Sequence, residues 1–253
     1  MRVFLPMLVV LALPACSDSL GIIISGDAGS EETTIGDADG DTISDEDEGR
    51  GEGVDTDGDG LEDWEDDDSD GDGISDSIEA GDVDASTPPD DCDGDGIPSF
   101  RDRDSDGNGV LDADEGSADR DDDGLWDFCD PDNDGDSIDD VLEIGGNPAA
   151  PVDFDGDGRE DYMDIDSDND NISDQQERPV GSDVDSDLLP DRHDLDTDGD
   201  GILDRIEAGD FDLLTWPRDT DADGTPDFRD LDSDNDGLSD QWEIENDCDP
   251  YNA

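Results

Sequence analysis

The chain has 253 residues, of which 85 are Asp or Glu and 11 are Lys or Arg, for a formal net charge of −74. Only 29% of its residues are hydrophobic and 5% aromatic, too little apolar material for the conventional core of a domain this long. Such a polyanion has no basic footprint for nucleic acid and is repelled by an anionic membrane surface, so cations are its natural partners.

Residues 1–15 read as an export signal. Arg2 gives a short positive start, and Val3 to Leu13 is a mostly apolar run too short to span a bilayer. The run ends in Leu13-Pro14-Ala15-Cys16, which resembles the lipobox of bacterial lipoproteins. The resemblance implies that Cys16 is lipidated, and that an exported chain is anchored by it to a membrane, with the outer membrane or cell surface as the expected site. The alternative is an ordinary secretory signal with a chance Cys. Residues 16–36 then form the lipidated start and a flexible tether rich in Gly, Ser and Thr, with Ile22-Ile23-Ile24 as its apolar patch. Export permits disulfides. With Cys16 set aside, Cys92, Cys129 and Cys248 allow at most one intramolecular pair; Cys92 with Cys129 is expected, and the other pairings stay open.

From residue 37 to residue 243 the sequence is self-similar. A twelve-residue frame carries carboxylates at positions 1, 3, 5, 9 and 12, Gly at 6 and an aliphatic at 7, as in D-S-D-G-D-G-I-S-D-S-I-E from Asp68. Thirteen such loops follow one another. The lone first loop offers Asp37, Asp39, Asp41, Asp45 and Glu48. Pair 1 (55–79) offers Asp55, Asp57, Asp59, Asp63 and Asp66, then Asp68, Asp70, Asp72, Asp76 and Glu79. Pair 2 (91–115) offers Asp91, Asp93, Asp95 and Asp102, then Asp104, Asp106, Asn108, Asp112 and Glu115. Pair 3 (119–143) offers Asp119, Asp121, Asp123, Asp127 and Asp130, then Asp132, Asp134, Asp136, Asp139 and Glu143. Pair 4 (153–177) offers Asp153, Asp155, Asp157, Asp161 and Asp164, then Asp166, Asp168, Asp170, Asp174 and Glu177. Pair 5 (183–207) offers Asp183, Asp185, Asp187, Asp191 and Asp194, then Asp196, Asp198, Asp200, Asp204 and Glu207. Pair 6 (219–243) offers Asp219, Asp221, Asp223, Asp227 and Asp230, then Asp232, Asp234, Asp236, Asp240 and Glu243.

The spacing has a chemical reason. Ca²⁺ takes six to eight oxygens, and side chains two apart on a tightly curled loop converge on one point. Gly at position 6 permits the sharp turn. Position 7 offers its carbonyl, which leaves its side chain free to be apolar. First members of a pair end in Asp and second members in Glu, with one residue between them, so carboxylates at the junction are placed to bridge neighbouring ions. First members carry an aromatic at position 10 (Trp64, Phe100, Phe128, Tyr162, Phe228), with Arg192 as the exception. These are expected to form one small apolar cluster per pair. Gly81 and Gly209, just after the second members of pairs 1 and 5, suit left-handed caps.

Loops this close leave no room for the flanking helices of an EF-hand, which also places its aliphatic residue at position 8. The pattern resembles the thrombospondin type 3 repeat instead, standing here as D-T-D-G-D-G-L-E-D-W-E-D (55–66), D-C-D-G-D-G-I-P-S-F-R-D (91–102) and D-T-D-A-D-G-T-P-D-F-R-D (219–230). The resemblance covers 37–243. It implies a repeat protein with little regular secondary structure, whose tandem Asp-rich loops wrap around a string of calcium ions (multiple Ca²⁺) with no conventional hydrophobic core. It also implies a matrix or cell-surface setting. The Cys-Pro and Cys-Asp elements of animal repeats are nearly missing, so no disulfide ladder is expected.

The functional expectation is a calcium-stiffened surface spacer or adhesion module with a surface or matrix partner of unknown identity. The alternative is a calcium reservoir or mineral-facing acidic surface without a defined fold. No enzyme is expected: His193, the only His, reads as a loop-surface residue. Loops with Thr42, Ser137, Asn171 or Leu188 at position 6 are expected to be the weaker ones. Residues 244–253 form a short tail in which a free Cys248 is available to another chain.

Overall fold

A computed structural model describes residues 36–252. The export signal, Cys16 and the Ile22–Ile24 patch lie outside the described residues. Within them the chain is nearly all loop and turn. The regular elements are four short α-helices, α1 (Asp76–Glu79), α2 (Asp112–Glu115), α3 (Asp204–Glu207) and α4 (Asp240–Glu245), and seven single 3₁₀ turns; no β-strand occurs among the described residues. No helix there is long and apolar enough to cross a membrane.

Each loop closes the same way. The backbone N–H of position 9 donates to the carbonyl of the residue before position 1, as in Asp63 to Val54 (3.0 Å), Asp76 to Asp67 (3.1 Å) and Asp240 to Leu231 (3.0 Å). Position 9 then starts a single helical turn that ends at position 12. The residue before the turn is extended, which suits Pro98, Pro190 and Pro226 with their φ near −70° (−67°, −70° and −69°). The position 9 carboxylate reaches back across the loop to accept the N–H of position 2, as in Ser69 to Asp76 Oδ1 at 2.8 Å. Counted from Asp132, this place in pair 3 belongs to Asp140, whose Oδ1 accepts the Asn133 N–H at 3.0 Å. Asp139, the expected ligand, is exposed and faces out, because it is one residue short of the turn that brings the carboxylate inward.

Position 6 has a positive φ whatever residue fills it: Gly73 at 101° and Gly96 at 99°, but also Thr42 at 83°, Ser137 at 73°, Asn171 at 76° and Leu188 at 88°. The four imperfect loops therefore keep the turn and carry the strain of a left-handed residue with a Cβ. Gly81 (82°) and Gly209 (91°) take the expected left-handed caps.

The two members of a pair differ in what they bury. Position 7 of the second member points inward (Ile43 of the lone loop, Ile74, Val110, Ile138, Ile172 and Ile202 are buried) except at Leu238 of the last loop, whereas first members expose it at Leu61, Ile97 and Leu125. The aromatic at position 10 lies deep: Phe100 and Phe228 are fully buried and Tyr162 nearly so. The apolar clusters are not one per pair. Phe100 packs with Ile43 and Ala80, Phe228 with Ile172 and Ala208, and Tyr162 with Val110, Ile144 and Met163. Each cluster draws on three successive repeats, so no repeat owns a core.

Position 11 of five first members links successive pairs with four different chemistries, one of them used twice. Arg101 Nε donates to Asp63 Oδ2 at 2.6 Å. Cys129 forms a disulfide with Cys92, with the Cα atoms 5.6 Å apart. Met163 Sδ accepts from Arg120 Nη2 at 3.2 Å. His193 Nε2 lies 2.9 Å from Asp161 Oδ2, and its ring stacks on Phe154 with centroids 4.3 Å apart. Arg229 Nη2 donates to Asp191 Oδ2 at 2.6 Å. His193 is thus a half-buried link between pairs 4 and 5 rather than a solvated loop residue. Cys248 is free and exposed.

Candidate metal centres

Backbone geometry fixes one oxygen of most frame carboxylates and leaves the other free. Position 3 accepts the N–H of position 5, as in Asp72 to Asp70 Oδ1 at 3.1 Å, and position 5 accepts the N–H of position 7, as in Ile74 to Asp72 Oδ1 at 2.7 Å. Both rungs turn the second oxygen toward the loop centre. At Asp70, Asp72, Asp134, Asp136, Asp168, Asp170, Asp198 and Asp200 that Oδ2 is buried with no hydrogen-bond partner. Asp37, Asp39 and Asp41 converge with ligand oxygens within 4.8 Å of one another, as do Asp55, Asp57 and Asp59, and Asp68, Asp70 and Asp72.

The alternation of Asp and Glu at position 12 has a local cause. In first members the short Asp side chain accepts the N–H of position 1 of the next loop, at 3.2 Å from Asp68 to Asp66 and 3.0 Å from Asp132 to Asp130. A longer Glu would overshoot that turn. Asp66 gathers with Asp59, Asp57 and Asp68, and burial followed by these neighbours raises its pKa. These first-member sites are largely open: Asp55, Asp59, Asp93, Asp95, Asp155 and Asp157 are exposed.

Second members are closed, except the last, where Asp236 and Leu238 are exposed. Glu48, Glu79 and Glu207 are 0%, 1% and 0% exposed, and neither carboxylate oxygen of any of them has a partner. Each looks across a seam to the next pair. Asp41 and Glu48 converge with Asp76, and Asp72 and Glu79 with Asp112, each trio within 4.8 Å. The third member is position 9 of the following second loop. The same neighbours recur further on: Glu143 is acted on by Asp136 and Asp174, Glu177 by Asp170 and Asp204, and Glu207 by Asp200 and Asp240. Burial first, then these like charges, pushes Glu48 up to about 9 and Glu79 and Glu207 up to about 10.

Position 9 does not serve all the loops alike. In first members it is largely spent on protein: Asp63 accepts the Thr56 N–H and hydroxyl at 2.9 Å each as well as Arg101, Asp227 accepts Thr220 and Arg218, and Asp161 and Asp191 are held by His193 and Arg229. These four expected ligands close the loop, and Asp63, Asp161 and Asp191 also link the pairs. In second members position 9 also accepts the position 2 N–H, and at Asp76, Asp174, Asp204 and Asp240 the position 2 hydroxyl as well, but no Arg or His holds it. Asp76 and Asp112 converge with the preceding loop's Glu, and Asp112 Oδ2 is buried without a partner. Two seams carry a cation or amide of the protein's own. Arg192, where other first members have an aromatic, places Nη1 3.2 Å from Glu143 Oε1. Asn108 turns its amide toward Glu115 at 2.8 Å.

Several carboxylates packed within 4.8 Å of one another without partners are strongly unfavourable in a metal-free protein. The donor set is oxygen only, with carboxylates at Glu long enough to be bidentate and carbonyls at position 7. This set suits a hard cation of high coordination number, and lacks the sulfur or imidazole that would favour zinc or copper. The residues present therefore fit calcium. No protein-family model matches the chain, and no curated protein matches it.

Proposed function

We propose that this is a calcium-binding repeat protein of the thrombospondin type 3 kind, whose loops are ordered by Ca²⁺ into a stiff surface spacer or adhesion module. The observation that carries this reading is the row of buried Glu carboxylates with no protein partner, Glu48, Glu79, Glu177 and Glu207, each facing two or more Asp. A diffuse acidic reservoir has no use for sealed sites, since it needs only charge at the surface. Calcium would be held by positions 1, 3, 5 and 12 with the position 7 carbonyl, and would supply the positive charge that the small apolar clusters cannot replace. Export and a lipid anchor at Cys16 belong to the same proposal, because extracellular calcium is abundant enough to fill weak loops.

The test is a Ca²⁺ titration after EGTA on the chain with Cys248→Ser, followed by far-UV circular dichroism and small-angle X-ray scattering. The expected result is saturable ordering by millimolar calcium that Mg²⁺ does not reproduce. An equal response to Mg²⁺, or none to either ion, would leave the reservoir reading in its place.

A further inference from the structure

The seams between successive second-member loops hold a site that the twelve-residue frame does not predict. Asp72 belongs to two carboxylate groups at once, one with Asp68 and Asp70 and one with Glu79 and Asp112. Asp41 does the same for the lone loop. A single loop therefore presents two adjoining sites that share position 5, and the inner one is completed only by the next repeat. Glu79, 1% exposed with both oxygens unpartnered, points into that inner site together with the unpartnered Asp112 Oδ2.

Of the two seams that carry a group of the protein's own, one changes the shared position itself. Between pairs 2 and 3 the shared position is Asn108. Its Oδ1 accepts the Val110 N–H at 2.6 Å, as the position 5 carboxylates do, which fixes the orientation of the amide. Its Nδ2 then lies 2.9 Å from Asp106 Oδ2, 2.8 Å from Glu115 Oε1 and 3.3 Å from Asp140 Oδ2. Asp106 and Glu115 belong to its own loop, and Asp140 is position 9 of the next. A second amide, Asn133 Nδ2, approaches Glu115 Oε1 at 3.3 Å. The amide stands among the oxygens that converge without a partner at the neighbouring seam.

We infer that the inner seam sites are divalent-cation sites shared between successive repeats, and that Asn108 replaces the cation at the seam between pairs 2 and 3 with hydrogen bonds of its own. This rests on the calcium reading above and deepens it: the ions at the seams are what join one repeat to the next, and one joint is made independent of metal. An amide hydrogen satisfies a carboxylate oxygen without adding charge, so this seam stays closed when calcium is removed.

The test is native mass spectrometry of the full chain in saturating calcium, which resolves each bound ion. Asn108→Asp restores the shared carboxylate and is expected to carry one calcium more than the wild type. Asp112→Asn removes the third carboxylate from the seam between pairs 1 and 2, and is expected to carry one calcium fewer or to release one at least tenfold faster into chelator. If the wild type binds no calcium, the functional reading itself falls. If the wild type binds calcium while Asn108→Asp and Asp112→Asn both keep its ion count and its release rates, the shared seam sites are refuted and the calcium reading stands.

Discussion

Glu207→Gln separates a carboxylate built for a cation from one that is merely buried. Glu207 is fully buried, both of its oxygens lack partners, and Asp198, Asp200, Asp204 and Asp240 surround it. Glutamine keeps its size and removes its charge. With free calcium a hundredfold above a site's Kd, occupancy contributes about 2.7 kcal/mol to the folded state. Loss of one buried charged ligand costs about 3 kcal/mol, or roughly a hundredfold in affinity. The site is then half filled and contributes about 0.4 kcal/mol. The net loss of about 2.3 kcal/mol corresponds to a fall in Tm of roughly 5–9 °C for a chain of this size. In EGTA the sign reverses, because the same substitution removes one charge from a cluster of like charges, so the metal-free variant gains order. Thermal melts by circular dichroism in calcium and in EGTA, with the exposed Glu245→Gln as control, read both arms. A Glu207→Gln variant that loses stability equally in calcium and in EGTA would mark Glu207 as a packing residue and not a cation ligand.

Three further outcomes are expected. Between pH 4.5, the ordinary Glu value, and about 9–10, where burial and neighbouring Asp hold Glu48 and Glu79, the folded metal-free chain binds more protons than the unfolded one. Its stability therefore falls as pH rises through that window. Acidification in EGTA should order the chain, and the scattering radius should shrink toward pH 4.5 instead of expanding. Leu188, 88% exposed at φ 88°, pays for its left-handed backbone with no packing in return. Leu188→Gly should stabilise the calcium form by about 1 kcal/mol in urea melts. The Cys92–Cys129 disulfide closes a separation of 37 residues, so Cys92→Ser should cost about 4 kcal/mol by chain entropy, and a melt unchanged by reductant would contradict that.

The thirteen-loop frame, the pairing and nearly all the candidate ligands are legible in the sequence because each depends on neighbours within twelve residues. An Asp two residues from the next curls onto the same centre through backbone hydrogen bonds that any such sequence makes, and a residue with positive φ at position 6 turns the chain whether or not it is Gly. The one misplaced ligand, Asp139 for Asp140, arose where two Asp stand side by side; the count from Asp132 gives Asp140, and the hydrogen bond from Asn133 to Asp140 agrees with it. The links at position 11 left little pattern to read, since among Arg101, Cys129, Met163, His193 and Arg229 only the two Arg share a chemistry. The repeat, its period and the placing of its carboxylates follow from the sequence alone. The tertiary structure alone shows that second members followed by another repeat are sealed while first members stay open, that each apolar cluster spans three repeats, and that Asp76 and Asp112 meet the Glu of the loop before them. The physical reason is that these are properties of contact between repeats some thirty residues apart, and an identical local frame gives no sign of which face the next repeat will cover.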